Sequence, residues 1–451
     1  MDAIVLGAGI AGLTASYRLK RKGRSLLLLE KGSHYGGCLK SVRHNGYLFE
    51  KGPNSFLNSH KTILEHVGLL GLQNQIVEAK DSAKNRFIWS KGRLIPVPKK
   101  PLEFLCSPLM TFGGKIRLLM EPCISARPPE EEETVAQFVT RRLGKQALNL
   151  VEPMIHGIYA GDAKTLSLSA IAPEISKWEK EYGSLFKALK KARLFSAGHT
   201  LCSFKGGMQT MADALYKANE KNCRFDCQNI QIEKSGKGWR VKWAQKGKDY
   251  EEETPLLVLA VPAYTAAALL EKSSSDVAQT LQTIPYVPLA VLHLVVDRSK
   301  VPHPLNGFGF LSGGGENNFL LGCLWSSSIF EGRCRDRAEA VFTCFAGGAK
   351  NPTVLNDSDD VLIAKTLKEL GAVFGETIKP SETFVTRLPK ALPQYTLGHR
   401  KKMEEIRGRV KALEGLCLVG NYWDGISVND TMAYAKKQTE DYERRTIDNG
   451  L

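Results

Sequence analysis

With 451 residues, 43% of them apolar and 24% charged, the chain is too large for one core and predicts a globular protein of two or three domains able to bury a sizeable ligand. Sixty-two Lys plus Arg against 47 Asp plus Glu leave a formal charge of +15, which favours anionic partners: phospholipid headgroups, nucleic acid, or carboxylate and phosphate ligands. No segment supplies the roughly 18 uninterrupted apolar residues of a membrane span, and the ten scattered cysteines show neither zinc-site spacing nor a nucleophile signature, so they read as reduced thiols of a cytosolic protein.

The first 31 residues predict a βαβ opening, with a strand over Ala3–Leu6, a glycine turn, a helix to about Lys22 and a strand over Ser25–Glu30. The run IVLGAGIAGLTA has Asp2 where a signal segment has basic residues, and glycines punctuate it, so no cleaved address is expected. Residues 85–98, NRFIWSKGRLIPVP, hold two β-branched or aromatic runs around Ser90-Lys91-Gly92, the sequence form of a hairpin. Arg86 stands out there, because an arginine beside Phe87, Ile88 and Trp89 either snorkels to water or holds an anion.

Residues of about 99–195 are helix-rich with prolines. Within them WEKEYGSLFKALKKARLF places Trp178, Tyr182, Leu185, Phe186 and Leu189 near one helical face, with Lys187, Lys190, Lys191 and Arg193 largely elsewhere. Such a helix can lie on an anionic membrane or dock on a neighbour. FKGGMQTMADALYKA (204–218) predicts a turn and helix, leading into Asn229–Val241 and then a buried strand in LLVLAVPA (256–263). About 271–410 is richer in strands, glycine and aromatics. LCLVGN (416–421) then gives another apolar strand, followed by a turn and a helix from about Asn429.

Gly7-Ala8-Gly9-Ile10-Ala11-Gly12 is a G-x-G-x-x-G turn between the first strand and helix. The first glycine permits the turn, the second admits a pyrophosphate to the backbone, and the third lets helix and strand pack closely. Glu30 ends the second strand 18 residues after Gly12, where a carboxylate accepts from ribose hydroxyls. Lys31 follows, and Gly36-Gly37 offers a second side-chain-free stretch suited to an extended, permanently held cofactor. FAD rather than a transient nicotinamide is therefore expected. GNYWDGISVND (420–430) suits its far end, since a helix N-terminus there can face the flavin N1 and ribitol and stabilise reduced, anionic flavin.

These features, together with FEKGPNSF (49–56), NRFIW-x3-RLIPVP, EPMIHGIYAGDAKTLS (152–167), NGFGFL (306–311) and LPQYTLGH (392–399), closely resemble the oxygen-dependent protoporphyrinogen oxidase family of the flavin amine-oxidase-like superfamily. The resemblance runs nearly end to end. GIYAGD and PQYTLGH are fairly specific to it; the glycine turn is not. It implies an α/β fold with α+β parts: a discontinuous Rossmann-like FAD-binding domain (1–77, 196–270, 411–451), a mixed-sheet substrate domain (78–98, 271–410) and a helical, membrane-associating domain (99–195). It implies six-electron oxidation of a porphyrinogen, with O₂ reoxidising the flavin and H₂O₂ released, in the cytoplasm or peripherally on the inner face of the cell membrane. The resemblance also allows a homodimer.

Carried over by motif, the cofactor contacts fall on Gly7, Ala8, Gly9, Ile10, Ala11, Gly12, Glu30, Lys31, Cys38, Gly52, Pro53, Asn54, Ser55, Cys227, Asn421, Ile426, Ser427 and Val428. Substrate contacts fall on Arg86, Leu311, Leu324 and Phe345, with the backbone of Gly157 beside the reacting edge. A porphyrinogen is a broad apolar macrocycle with carboxylate arms, so its pocket should be wide, mostly apolar and sparing in charge. On this reading a buried Arg86 grips a propionate while Phe87 or Trp89 packs behind it. No catalytic acid–base residue and no metal is called for, because hydride loss to flavin N5 needs mainly alignment. His156, adjoining Gly157, reads as structural.

Three other functions remain open at this stage. Coproporphyrinogen III, with four propionates instead of two, is an alternative substrate. An amine oxidase shares the fold, yet such enzymes usually carry a lysine near flavin N5, and TIPYVPLAVLHLVVD has none. A non-enzymatic basic membrane-binding protein would use the charge alone. No nucleic-acid motif accompanies the charge, so nucleic acid is not expected as a partner.

Overall fold

The computed structural model describes residues 1–126, 132–191, 200–236, 238–313 and 318–448. Five short strands, Cys223–Arg224, Leu26–Leu29, Ala3–Leu6, Leu256–Leu259 and Leu416–Leu418, lie parallel in that order. The sequences AIVL, LLLL and LLVL lack polar alternation, and all their residues are buried, as a sheet covered on both faces requires. Its strands come from the start, middle and end of the chain. Helix Ile10–Arg21 follows the first strand and packs against the last helix, Val428–Asp448, where Arg18 bridges Glu440 at 2.7 Å. The stretch 229–241 is folded back on itself. Gly236, at φ +52°, turns the chain between Gln228–Ser235 and Gly238–Gln245, which form an antiparallel meander with Lys248–Thr254.

A second, seven-stranded sheet runs in the order Pro380–Pro393, Tyr286–Asp297, Glu339–Gly347, Leu320–Trp325, Gly309–Ser312, Phe87–Ser90 and Arg93–Pro96. The hairpin read at 85–98 forms its edge, with Lys91 and Gly92 both at positive φ, +52° and +69°, the two-residue turn that matches strand twist. Side chains alternate between the sheet's faces. Ala290, Leu292, Leu294, Phe342, Cys344, Phe310 and Trp325 share one cluster with Leu362, Leu370 and Val373 of helix Asp359–Phe374. The opposite face carries Val291, His293, Thr343, Phe345, Leu324 and Leu311, and turns toward strand Tyr47–Glu50, which runs into residues 52–55, because His293 bonds the Glu50 carbonyl.

Most of the helices between the two halves of this sheet are short. The single helix read over 178–195, on a membrane or docked on a neighbour, is not continuous: Gly183, at φ +64°, ends helix Pro173–Tyr182, and Leu185–Lys191 starts afresh. The fully buried Arg142–Glu121 pair holds this break, Arg142 donating to the Gly183 carbonyl and Glu121 accepting from the Ser184 hydroxyl and the Leu185 N–H. Trp178, Tyr182, Leu185, Phe186 and Leu189 are thereby divided between two helices, and Arg193 lies outside the described residues. Exposed apolar surface gathers instead on Pro101–Cys106 and Phe112–Leu119. Leu102 is 72% exposed and Phe112 77%, with Leu105, Ile116, Leu119 and Met120 beside them. Among the described residues no helix is long and apolar enough to cross a membrane.

Candidate active site

The glycine turn is dictated by backbone contacts. Gly7 sits at φ +102°, and a Cβ there would lie 2.5 Å from the Ala260 carbonyl oxygen; one on Gly12 would lie 1.9 Å from the carbonyl oxygen of Gly7. Helix Ile10–Arg21 begins with Gly9 as its cap and no side-chain acceptor, so its first N–H groups are available to an anion. Gly36-Gly37 lies alongside: Gly36 N–H donates to the Ala8 carbonyl, Gly9 pairs with Gly36, and a Cβ on Gly37 would come within 3.1 Å of Gly9 Cα. Two side-chain-free segments thus face each other, the cradle a diphosphate needs. Ala8, Ile10 and Ala11 are buried beneath it.

Glu30 closes one end. Its carboxylate accepts from Ala8 N–H at 2.7 Å and Gly32 N–H at 2.8 Å, which aims it at the turn where a ribose would lie. Cys227 N–H donates to the Glu30 carbonyl, so the least motif-supported cofactor assignment falls beside the best one. Lys31 is exposed next to Glu30. The Cys38 backbone lies against Gly52, where a Cβ would meet its carbonyl oxygen at 2.3 Å. Gly52, Pro53, Asn54 and Ser55 follow, fixed by Asn54 donating to the Gly52 carbonyl and accepting from Ser203 at its own.

The far end is built from GNYWDGISVND. Ser427 caps helix Val428–Asp448, its Oγ accepting from Asp430 N–H and donating to the Asp430 carboxylate. Gly425, at φ +147°, has no room for a Cβ beside Asp430. Tyr395 of PQYTLGH pins this turn: its hydroxyl donates to the Asn421 carbonyl at 2.6 Å and accepts from Gly425 N–H at 3.2 Å. His399 stacks on Tyr395 at 4.0 Å and donates to the Tyr422 carbonyl, and burial holds its pKa down at about 4. Ile426, Ser427 and Val428 therefore present a supported helix N-terminus at the side of the parallel sheet where the Gly7–Gly12 turn opens. The residues present fit FAD at its two ends: the glycine cradle with Glu30 for diphosphate and ribose, and the helix N-terminus at Ile426, Ser427 and Val428 for the far end.

The substrate-side assignments converge on the second sheet. Phe345 pairs with Gly322, which pairs with Leu311, so Phe345 and Leu311 stand on one face with a glycine floor between them. Leu324, two residues beyond Gly322, stands on the same face. Gly157, on helix Leu148–Tyr159, rests on this wall; a Cβ there would come within 2.5 Å of Leu311 Cδ2. Met154 and Ile158, on the Gly157 side of the helix, are 51% and 54% exposed, and the sequence reading did not single them out. Leu324, Asn54, Ser55 and Phe308 share the lining of a small cavity of about 10 Å³, room for a single water, between the substrate wall and residues 52–55.

Arg86 requires a correction. It is exposed rather than buried, and the ring beneath its guanidinium is Phe308 at 5.3 Å, not Phe87 or Trp89. The period of the strand explains this, since Phe87 and Trp89 point to the opposite face and join the cluster under helix Asp359–Phe374. His156 is buried, bonded to the backbone of Ser312, and held at a pKa of about 4 by burial and by Lys350.

The sequence reading also missed a buried polar chain. His293 Nε2 bonds the Glu50 carbonyl at 3.1 Å and its Nδ1 bonds Thr343 Oγ1 at 3.0 Å, which in turn lies 2.7 Å from Ser326 Oγ. The available signal was a lone polar residue in the apolar run VPLAVLHLVV.

Comparison with known proteins agrees with this geometry. The model of the family described as flavin containing amine oxidoreductase matches residues 10–437. A chloroplastic protoporphyrinogen oxidase of Nicotiana tabacum is 30% identical over 95% of this chain and 83% of its own length. The coproporphyrinogen III oxidase of Bacillus subtilis is 26% identical over 97% of both chains. The crystal structure of an Exiguobacterium protein described as a candidate protoporphyrinogen oxidase superposes with a TM-score of 0.86 at 25% identity, covering 98% of each chain. The chain is accordingly an FAD-dependent oxidoreductase: it belongs to the flavin containing amine oxidoreductase family, in the branch that holds the protoporphyrinogen oxidases.

Proposed function

We propose that this protein oxidises protoporphyrinogen IX to protoporphyrin IX in haem biosynthesis, with O₂ as acceptor and H₂O₂ released. FAD, when bound, supplies the two-electron acceptor; the chain supplies binding and alignment. The observation that carries the reading is the single sheet face on which Phe345, Leu324 and Leu311 stand around Gly322. The part of that face around Gly322 is apolar and lies under Gly157, the form of wall a macrocycle needs and a small amine does not. Arg86, exposed over Phe308, supports this reading as the cation that would meet a propionate arm. Porphyrin fluorescence followed during turnover with protoporphyrinogen IX, coproporphyrinogen III and a primary amine tests this. The highest kcat/KM is expected with protoporphyrinogen IX; a higher value with the four-propionate substrate moves the assignment to coproporphyrinogen III, and turnover of the amine alone rejects both.

We also propose a membrane-surface location, supported by the exposed apolar residues of Pro101–Cys106 and Phe112–Leu119 and by the +15 charge. Burying one such side chain contributes about 1.5–3 kcal/mol, so replacing Leu102 and Phe112 by Ser should weaken binding to anionic vesicles at least a hundredfold. Unchanged cosedimentation would reject this location.

A further inference from the structure

The buried chain Ser326–Thr343–His293 has a direction. The Glu50 carbonyl can only accept, so His293 carries its proton on Nε2 and offers a lone pair at Nδ1. Thr343 must then donate its hydroxyl proton to Nδ1, which leaves its oxygen to accept from Ser326, and leaves the lone pairs of Ser326 Oγ without a required partner in the chain. Ser326 and Thr343 both line the cavity that Leu324 and Phe308 share with Asn54 and Ser55. The three residues are 8%, 1% and 1% exposed, so bulk water does not compete for these bonds.

We propose that Ser326, Thr343 and His293 form the proton-accepting path of the reaction, taking the proton that a pyrrole N–H gives up when the adjoining meso carbon loses hydride. This rests on the porphyrinogen reading. The step balances. The meso C–H bond breaks with its electron pair leaving as the hydride that FAD, when bound, would accept. The pyrrole N–H proton goes, through the single water that the cavity admits, to Ser326 Oγ; the Ser326 proton passes to Thr343, and the Thr343 proton to His293 Nδ1. The imidazolium so formed keeps its Nε2–H bond to the Glu50 carbonyl. His293 is a weak base, with burial holding its pKa at about 4. A weak base is sufficient, because hydride loss leaves the nitrogen cationic and its proton strongly acidic, and the weak base releases the proton again before the next cycle. Phe49, stacked on the imidazole at 4.9 Å, fixes the ring plane.

The test is flavin bleaching in the FAD-loaded protein, mixed anaerobically with protoporphyrinogen IX or coproporphyrinogen III in H₂O and D₂O. T343V and S326A should bleach at least tenfold more slowly with substrate affinity unchanged, the wild type should show a solvent isotope effect above 2 that both variants alter, and T343S should recover most of the rate. Wild-type rates and isotope effects in T343V and S326A would overturn the path. T343S as slow as T343V would also overturn it, by showing that shape rather than the hydroxyl matters. A wild-type protein that neither substrate bleaches would instead remove the porphyrinogen reading, and the path with it.

Discussion

Arg86 gives the sharpest test of how the substrate is held. It is exposed, lies over Phe308 and forms no ion pair among the described residues, so removing it should cost the fold little: a cation–π contact at an exposed site contributes about 0.5–1 kcal/mol. A charge-assisted hydrogen bond to a propionate is larger, about 1.5–3 kcal/mol. R86A should therefore raise KM roughly ten- to a hundredfold at about 1.4 kcal/mol per decade, while kcat stays within about twofold, because the carboxylate is gripped equally before and during hydride loss. R86K keeps the charge but not the planar fork and should fall between the two. Steady-state kinetics checks the split and urea unfolding checks the fold. An unchanged KM in R86A would refute the assignment, and a fallen kcat with unchanged KM would mean that Arg86 acts at the reacting centre instead.

Three further outcomes are expected. G12A places a methyl group 1.9 Å from a backbone oxygen that cannot swing aside, so the purified variant should be colourless by its flavin-to-protein absorbance ratio; a yellow variant contradicts the cradle. Y395F removes the hydroxyl that ties Asn421 to Gly425, at a cost of about 1–3 kcal/mol, and should lose FAD on dilution faster than wild type, as followed by flavin fluorescence. His156, His293 and His399 are buried neutral with pKa values near 4, below the ordinary value of 6.5. The stability they contribute is thus complete above about pH 6.5 and is lost as pH falls toward 4. The loss is about 1.4 kcal/mol per pH unit for each, so urea midpoints should drop steeply over that window and H399Q should flatten the slope.

What the sequence disclosed, and what it hid, follows from how local each feature is. The glycine turn was legible because Gly7 takes a positive φ and Gly12 packs on the Gly7 carbonyl within a single strand–turn–helix, although the Ala260 carbonyl that also crowds Gly7 comes from a distant segment. The hairpin at Lys91-Gly92 was legible for the same reason. The exposure of Arg86 was not, because it depends on what lies across the sheet; strand alternation alone would have set Phe87 and Trp89 on the other face. The row Phe345–Gly322–Leu311 joins three strands, and no single stretch of sequence contains it. The break at Gly183 was available in WEKEYGSLF, but the apolar spacing ran across it, and the Arg142–Glu121 pair that fixes the turn comes from two separate segments. His293 was hidden because Tyr286–Asp297 is buried on both faces, which erases the period that would have shown where it points.

The account stands on a held flavin that takes hydride from a tetrapyrrole. Anaerobic titration of the yellow protein, counting flavin bleached against porphyrin formed, measures this directly. Three flavins reduced for each porphyrin is the prediction, since six electrons leave in pairs. A flavin that an amine bleaches and a porphyrinogen leaves yellow would contradict it.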